Sequence, residues 1–211
     1  MKKIIFILIA SCTLSPLYAQ IHEAGIKGGA NFANLHGDVD DNHIKIGPHL
    51  GGYINFEILD DLYFQPELLY SLQGASFKNE EVNMNYKDHL HYINLPLLVN
   101  YYLTEEISVH GGAYIGAFLF GKRKGNQFGQ EINEAIENIK FLDFGLVLGV
   151  GYTLRNDLTL GARYNLGLAN IADHETDFEG FDDYMYEYSY DLTLSNQVLQ
   201  VYAAFPLFSK R

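Results

Sequence analysis

The stretch "IKIGPHLGGYINFEILDDLYFQPELLYSLQ" (residues 44–73) decides the fold, because apolar and polar side chains alternate along it with a period of two. Such alternation predicts β-strands that have one apolar face. The two runs meet at Asp60 and Asp61, and aspartate is a residue type that tolerates turn geometry. Residues 44–58 and 62–74 are therefore predicted to form two antiparallel strands joined by a tight turn.

Similar short reversals occur twice more, in "LTEEISV" (103–109) and "LRNDLTL" (154–160). The runs that predict strands, eight in all, are 23–35, 44–58, 62–74, 91–103, 107–121, 141–154, 158–171 and 197–208. The long connectors between them lie near 36–43, 79–90, 122–140 and 173–196. Short turns at one end and long loops at the other are typical of outer-membrane barrels.

The length and composition of these runs favour a membrane-crossing barrel over a soluble, lipocalin-like one. Strands of soluble proteins usually hold about 5–6 residues, and a strand that crosses a bilayer needs about 9–11. Many of the runs are longer than that, and their polar positions are mostly Gly, Tyr, Asn, Gln and His. We therefore predict an all-β fold: an eight-stranded antiparallel up-and-down transmembrane β-barrel with short periplasmic turns and long extracellular loops.

The first nineteen residues have the pattern of a signal peptide. Lys2 and Lys3 precede the apolar segment "IIFILIA" (4–10), and small Ala19 marks a cleavage site before Gln20. Residues 20–211 then form one barrel domain. The alternative is acylation of Cys12, the only cysteine, because "IASC" (9–12) also fits a lipoprotein cleavage box.

The charge of the chain excludes one class of partner. The formal net charge is −12, and removal of the signal peptide, with two lysines and no acid, makes it two units more negative. Nucleic-acid binding needs basic patches that neutralise phosphates, so we predict no nucleic-acid partner. Outer-membrane lipid is the expected partner, in the bacterial cell outer membrane.

The inward-facing positions of the predicted strands include charged residues of both signs in equal number: Lys27, Lys45, Glu57, Glu67, Asp143 and Arg163. Buried charges are tolerated when they are paired or hydrogen-bonded. The set predicts a polar network that plugs the lumen and a non-enzymatic structural or interaction role. The alternative is a narrow pore for small solutes or ions.

No sequence motif points to catalysis, a cofactor or a metal. His49 and His110 share the predicted inward-facing set, but no HExxH, GxSxG or Cys–His spacing is present. We therefore predict that the protein is not an enzyme. A membrane-embedded hydrolase that uses these histidines is the remaining catalytic hypothesis.

Two of the long connectors have unusual compositions. Loop 173–196 is rich in acids and tyrosines and contains the candidate interaction residues Asp173, Glu175, Asp177, Glu179, Asp182, Asp183, Tyr184 and Tyr186. Divalent cations or a protein partner are the ligands that it would suit. In loop 122–140, Ile132, Ala135, Ile136 and Ile139 fall at helical spacing and predict a short extracellular helix.

Four segments resemble one known family: "GIKGGANFANL" (25–35), "YFQPELLYSLQGA" (63–75), "YINLPLLVNYYL" (92–103) and "GGAYIGAFL" (111–119). They resemble the PorT-like outer-membrane β-barrel proteins of the Bacteroidetes type, which are also described as porin-family proteins. The resemblance implies an eight-stranded outer-membrane barrel, and the namesake is an accessory of a secretion and gliding apparatus. Asn100 departs from the family pattern, because members commonly have Lys or Arg there, so a lumen ion pair at that position is not expected in this chain.

Overall fold

Eleven antiparallel strands and no helix make up the described part of the chain, in a computed structural model that describes residues 21–37, 42–79, 84–127, 129–173 and 193–210. The strands are β1 (Ile21–Gly37), β2 (Asn42–His43), β3 (Lys45–Leu59), β4 (Leu62–Gln73), β5 (Ser76–Asn79), β6 (Met84–Tyr102), β7 (Ile107–Gln127), β8 (Gln130–Ile136), β9 (Leu142–Thr153), β10 (Thr159–Gly167) and β11 (Leu194–Ser209). The predicted signal peptide lies outside the described residues.

The eight long strands form a closed ring of antiparallel pairs. Its order is β1, β3, β4, β6, β7, β9, β10 and β11, and β11 pairs with β1 from Glu23–Ser209 to Gly37–Leu194. These are the eight runs that the alternating pattern predicts. An eight-stranded ring is just wide enough for side chains to fill its interior.

The predicted short reversals lie together at one end of the ring. Asp61 and Asp157 adopt positive φ angles of 64° and 65° in two of them, a conformation that aspartate tolerates better than most residues. In the third, the Thr104 hydroxyl accepts hydrogen bonds from the backbone N–H groups of Glu106 and Ile107. Turn chemistry therefore accounts for the polar residues at these positions.

The other end of the ring differs from the prediction. β6 and β7 continue beyond the predicted runs and pair from Met84–Gln127 onward, and β8 adds to the free edge of this extension. The predicted helix in 122–140 is wrong, because residues 130–136 are a strand. Ile132 and Ile136 are four residues apart, which places them on one face of a strand as well as of a helix.

The two faces of the ring have opposite chemistry. Along β9 exposed and buried residues alternate strictly, with Leu146, Leu148 and Val150 exposed to 51%, 73% and 54%. Around the ring, the inward face includes many polar side chains, among them Asn31, Gln65, Ser71 and Gln200. Transfer of exposed apolar side chains from water to hydrocarbon is favourable by about 25 cal/mol per Å², so the exterior suits a lipid environment.

An apolar cluster closes the interior at the long-connector end. Its buried members are Leu35, Ala75, Phe77, Tyr86, Leu90, Tyr92, Ala169, Ile171, Ala172 and Leu194. Asp88 accepts two hydrogen bonds from Arg123 above this cluster, at 2.7 and 2.8 Å, and these bonds raise the pKa of Arg123. No helix in the described ranges is long and apolar enough to cross a membrane.

Candidate functional site: the polar interior

A buried cluster of three charges crosses the interior of the ring. Lys27 Nζ lies 2.5 Å from Glu67 Oε1, and Arg163 Nη1 lies 2.7 Å from Glu67 Oε2. Glu67 is on β4 and Arg163 is on β10, which are four positions apart in the ring of eight and therefore diametrically opposite. A single carboxylate thus bridges opposite walls, and the side chains of Glu67 and Arg163 are fully buried.

Hydrogen bonds extend this cluster toward the long-connector end. Arg163 Nε donates to Gln200 Oε1 at 2.6 Å, and Gln200 Nε2 donates to Asn31 Oδ1 at 2.7 Å. Asn31 Nδ2 in turn donates to Ser71 Oγ at 2.9 Å. These bonds join β1, β10 and β11 to β4 through the interior, so the network cross-links the ring.

Lys45 lies further along the same interior and makes a separate contact. Its Nζ donates to the backbone carbonyl of Gln73 at 2.9 Å, and Gln73 Nε2 donates to Ser71 Oγ at 3.1 Å. Lys45 has no carboxylate partner among the described residues, so the equal number of charges in the sequence does not become a set of ion pairs.

The central cluster holds two cations and one carboxylate, and an aromatic ring compensates part of the difference. Lys27 Nζ lies 4.3 Å from the centroid of the Tyr202 ring, and Arg163 Cζ lies 5.8 Å from the same centroid. A cation over the face of an aromatic ring gains about 0.5–2 kcal/mol. The prediction from the sequence named only charged residues for this network and therefore missed Tyr202.

Asp143 is buried but belongs to a different group. Its Oδ2 accepts hydrogen bonds from Tyr114 OH at 3.1 Å and from Asn196 Nδ2 at 2.9 Å, and its Oδ1 has no partner among the described residues. Glu67 binds Lys27 and Arg163 instead. The two carboxylates therefore share no partner among the described residues.

Glu57 does not lie in the interior, and its predicted place in the lumen network is wrong. Its side chain is 50% exposed, and its Oε2 lies 3.7 Å from His22 Nδ1. Glu57 is close to the short turn, where the pairing of β3 with β4 shifts register between Glu57 and Leu59. Alternation predicts only which face of the strand a side chain occupies. At the height of Glu57 the ring is open, so a side chain on the inward face is still exposed.

A small cavity lies between the ion cluster and the short-turn end. It has a volume of about 20 Å³, and Tyr53, Asn100 and His110 are among the residues that line it. Glu23 also lines it and accepts a hydrogen bond from Tyr53 OH at 2.7 Å. Such a volume holds about one water molecule. Glu23 lies four residues before Lys27 and therefore on the same face of β1, and this spacing could have predicted it as an interior residue.

The two inward-facing histidines, His49 and His110, are buried in the interior. Both ring nitrogens of His49 and the Nε2 of His110 lack hydrogen-bond partners among the described residues. A nucleophile and its base need to lie within hydrogen-bonding reach of each other. In the described ranges, no group of three or more His, Cys, Asp or Glu residues is placed to hold a metal ion.

Of the interaction residues predicted in the acidic connector, the structure describes only Asp173. Asp173 is exposed at the long-connector end. The other predicted interaction residues of this loop lie outside the described residues: Glu175, Asp177, Glu179, Asp182, Asp183, Tyr184 and Tyr186.

Several solved structures are similar to this chain at low sequence identity. Ail, the attachment invasion locus protein of Yersinia pestis, is 14% identical, with 88% of this chain and 99% of that chain covered and a TM-score of 0.46. Neisserial surface protein A is 10% identical, with coverage of 86% and 96% and a TM-score of 0.49. The outer membrane enzyme PagL is 10% identical, with coverage of 88% and 99% and a TM-score of 0.40.

The family is shown by a match to most of the chain. No curated protein matches the sequence. The model of the outer membrane protein beta-barrel domain matches residues 18–173, which include seven of the eight ring strands. The chain therefore belongs to the outer membrane protein β-barrel domain family, and its location is the bacterial outer membrane.

Proposed function

We propose that the protein is a closed, non-enzymatic barrel that has a structural or interaction role in the outer membrane. The ring strands cross the bilayer, the short turns face the periplasm, and the long connectors face the cell exterior. Interaction with partners then takes place at the long-connector end, where β8 and Asp173, the described start of the acidic connector, lie.

One observation carries this proposal: the contact of Arg163 with Glu67 across the diameter of the ring. An ion would have to displace this pair, and a buried pair that loses one partner is destabilised by about 3–5 kcal/mol. The apolar cluster at the long-connector end adds to this barrier, because apart from the hydroxyls of Tyr86 and Tyr92 its buried side chains offer no polar group that could replace the hydration shell of an ion. Both features support a plugged lumen over a narrow pore.

The acidic loop is the proposed site for divalent cations or for a protein partner. Its carboxylates are the oxygen ligands that calcium and magnesium prefer, and its tyrosines offer contact area at a low entropic cost. The PorT-like resemblance, with a role as an accessory of secretion or gliding, stays a prediction from the four sequence segments.

Conductance in planar lipid bilayers tests the closed barrel. We expect wild-type protein to show no steady open state, and we expect Glu67→Gln to show brief openings because the bridge across the interior is lost. Glu57→Gln, which removes a carboxylate at the open rim, is the matched control and should behave as wild type. A steady, ion-selective open state in the wild type would establish the narrow pore instead.

A further inference from the structure

The outward-facing residues of β6 and β7 change character in a regular order along the strands. From the long-connector end, the cross-strand pairs are Asn85–Asn126, Lys87–Lys124, His89–Lys122, His91–Phe120, Ile93–Ala117 and Leu95–Ile115. The order is amide, cation, aromatic and aliphatic. Aromatic residues mark the interface of a bilayer and aliphatic residues face its hydrocarbon, so the cations lie at the height of lipid headgroups.

The aromatic row fixes this height through its own contacts. The rings of His91 and Phe120 stack with centroids 4.1 Å apart, and Tyr70 OH lies 2.6 Å from His91 Nδ1. The row of His89 and Lys122 lies two residues further along the strands, which is about 7 Å. Below the aromatic row, the apolar face continues along β6 from Ile93 to Tyr101, a strand length of about 27 Å. At a strand tilt of about 40°, this length spans about 21 Å along the membrane normal.

The cations of this surface, which we call the cationic ladder, are Lys87, Lys122 and Lys124, with His89 beside them, and their charges repel one another. Lys87 and Lys124 are direct cross-strand partners, and like charges in that position destabilise a sheet. None of the three lysines forms a salt bridge to a described residue. Arg123, between two of them, points to the other face and is paired with Asp88. An anionic ligand would relieve this repulsion.

The ladder borders a depression of a size that suits a headgroup. The depression has a volume of about 560 Å³, and its lining includes Lys87, Lys124 and His89, the amides of Asn85 and Asn126, and one carboxylate, Glu131. Binding sites for small molecules commonly have volumes of about 300–1,000 Å³. Burial lowers the pKa of His89, and the charges of Lys45, Lys124 and Lys87 add to that effect. With two lysines and one carboxylate, the lining is net positive, although the whole chain has a net charge of −12.

We propose that the cationic ladder and its depression bind the phosphate groups of a phosphorylated glycolipid of the outer leaflet. Lys87 and Lys124 contact the phosphate, and the amides of Asn85 and Asn126 contact the sugar. The proposal rests on the proposed function, because the orientation proposed there, with the short turns in the periplasm, places the long-connector end at the cell exterior. Cations next to a membrane-spanning segment attract anionic headgroups by about 1 kcal/mol each.

The test compares purified full-length wild-type protein with a double variant, Lys87→Gln with Lys124→Gln, in nanodiscs of zwitterionic lipid. The probes are a bis-phosphorylated lipid A, the same lipid after removal of its phosphates, and phosphatidylglycerol. The matched control is Arg155→Gln with Lys210→Gln, which loses two cations at the short-turn end. We expect the double variant to bind the phosphorylated glycolipid at least about tenfold more weakly, and the control to bind as wild type.

Three outcomes would overturn the proposal: equal binding of the dephosphorylated lipid, equal binding of phosphatidylglycerol, or unchanged affinity of the double variant. Conductance of the same samples separates this proposal from the proposed function. A wild-type protein that conducts but retains phosphate-dependent binding contradicts only the closed barrel. A silent protein that does not distinguish the lipids contradicts only the ligand site.

Discussion

Arg163 Nη1 lies 2.7 Å from Glu67 Oε2, although the two residues are 96 positions apart in the chain and belong to opposite strands of the ring. The contact requires that the ring be closed, because it joins the two strands that are furthest apart in the ring order. It also accounts for part of the polar inward face, since a fully buried carboxylate needs several donors, here Lys27, Gln65 and Arg163.

Replacement of Glu67 with Gln should be strongly destabilising. The change leaves Lys27 and Arg163 buried next to each other without their common carboxylate, and loss of one partner of a buried pair costs about 3–5 kcal/mol. The chain has no tryptophan, so urea unfolding is best followed by the folded and heat-denatured bands on a gel. The matched variant Glu57→Gln removes a half-exposed carboxylate and should change the free energy of unfolding by less than about 1 kcal/mol. Equal losses in the two variants would contradict the bridge.

Replacement of Lys27 with Met should cost less than replacement of Glu67. Without Lys27 the cluster holds one cation and one carboxylate, and the desolvation of a second buried cation is avoided. The methionine can also pack against Tyr202, whose ring is 4.3 Å from Lys27 Nζ. We expect the free energy of unfolding to change by about 1 kcal/mol or less, in either direction. The same gel assay measures it, and a loss as large as that of Glu67→Gln would show that both cations are needed.

Gly161 should not tolerate a methyl group, because the interior is filled at that point. A Cβ atom there would lie 2.3 Å from the Tyr202 ring and 2.7 Å from the backbone oxygen of Val150. We expect Gly161→Ala to destabilise the protein by about 1–3 kcal/mol. Gly111 is the control, since a Cβ atom there would meet its nearest neighbour at 3.6 Å, and Gly111→Ala should be neutral or slightly stabilising. Thermal unfolding of the two variants in detergent distinguishes the two sites.

The alternating pattern predicted the ring strands because each of them has one lipid-compatible face and one polar face. The pattern weakens where β6 and β7 leave the apolar zone. There the outward Lys87 and the inward Asp88 are both charged, so periodicity alone could not predict the longer strands. It could not predict β8 either, because Ile132 and Ile136 fit both a helix and a strand.

The interior was only partly predictable for a related reason. Spacing showed that Lys27, Glu67 and Arg163 share the inward face, but their contact depends on which strands lie opposite each other after closure. Spacing also gives no height along the ring, and this led to the incorrect assignment of Glu57. Register between strands that are distant in the sequence is set by pairing of the whole ring, which a local pattern does not contain.

The strand assignment of residues 130–136 can be tested by cross-linking on the exposed face of the extension. Asn126 and Glu131 are direct partners of β7 and β8, and partners in a sheet have Cα atoms about 4.5–5.5 Å apart, which is within the range of a disulfide. With Cys12 replaced by Ser, we expect Asn126→Cys with Glu131→Cys to oxidise rapidly in the folded protein. Asn126→Cys with Asn133→Cys is the control, since Asn133 is the partner of Lys124 in the next row. Mass spectrometry of the oxidised proteins measures the yield. Faster oxidation of the control pair would contradict this register, and no oxidation of either pair would favour the helix that the spacing first predicted.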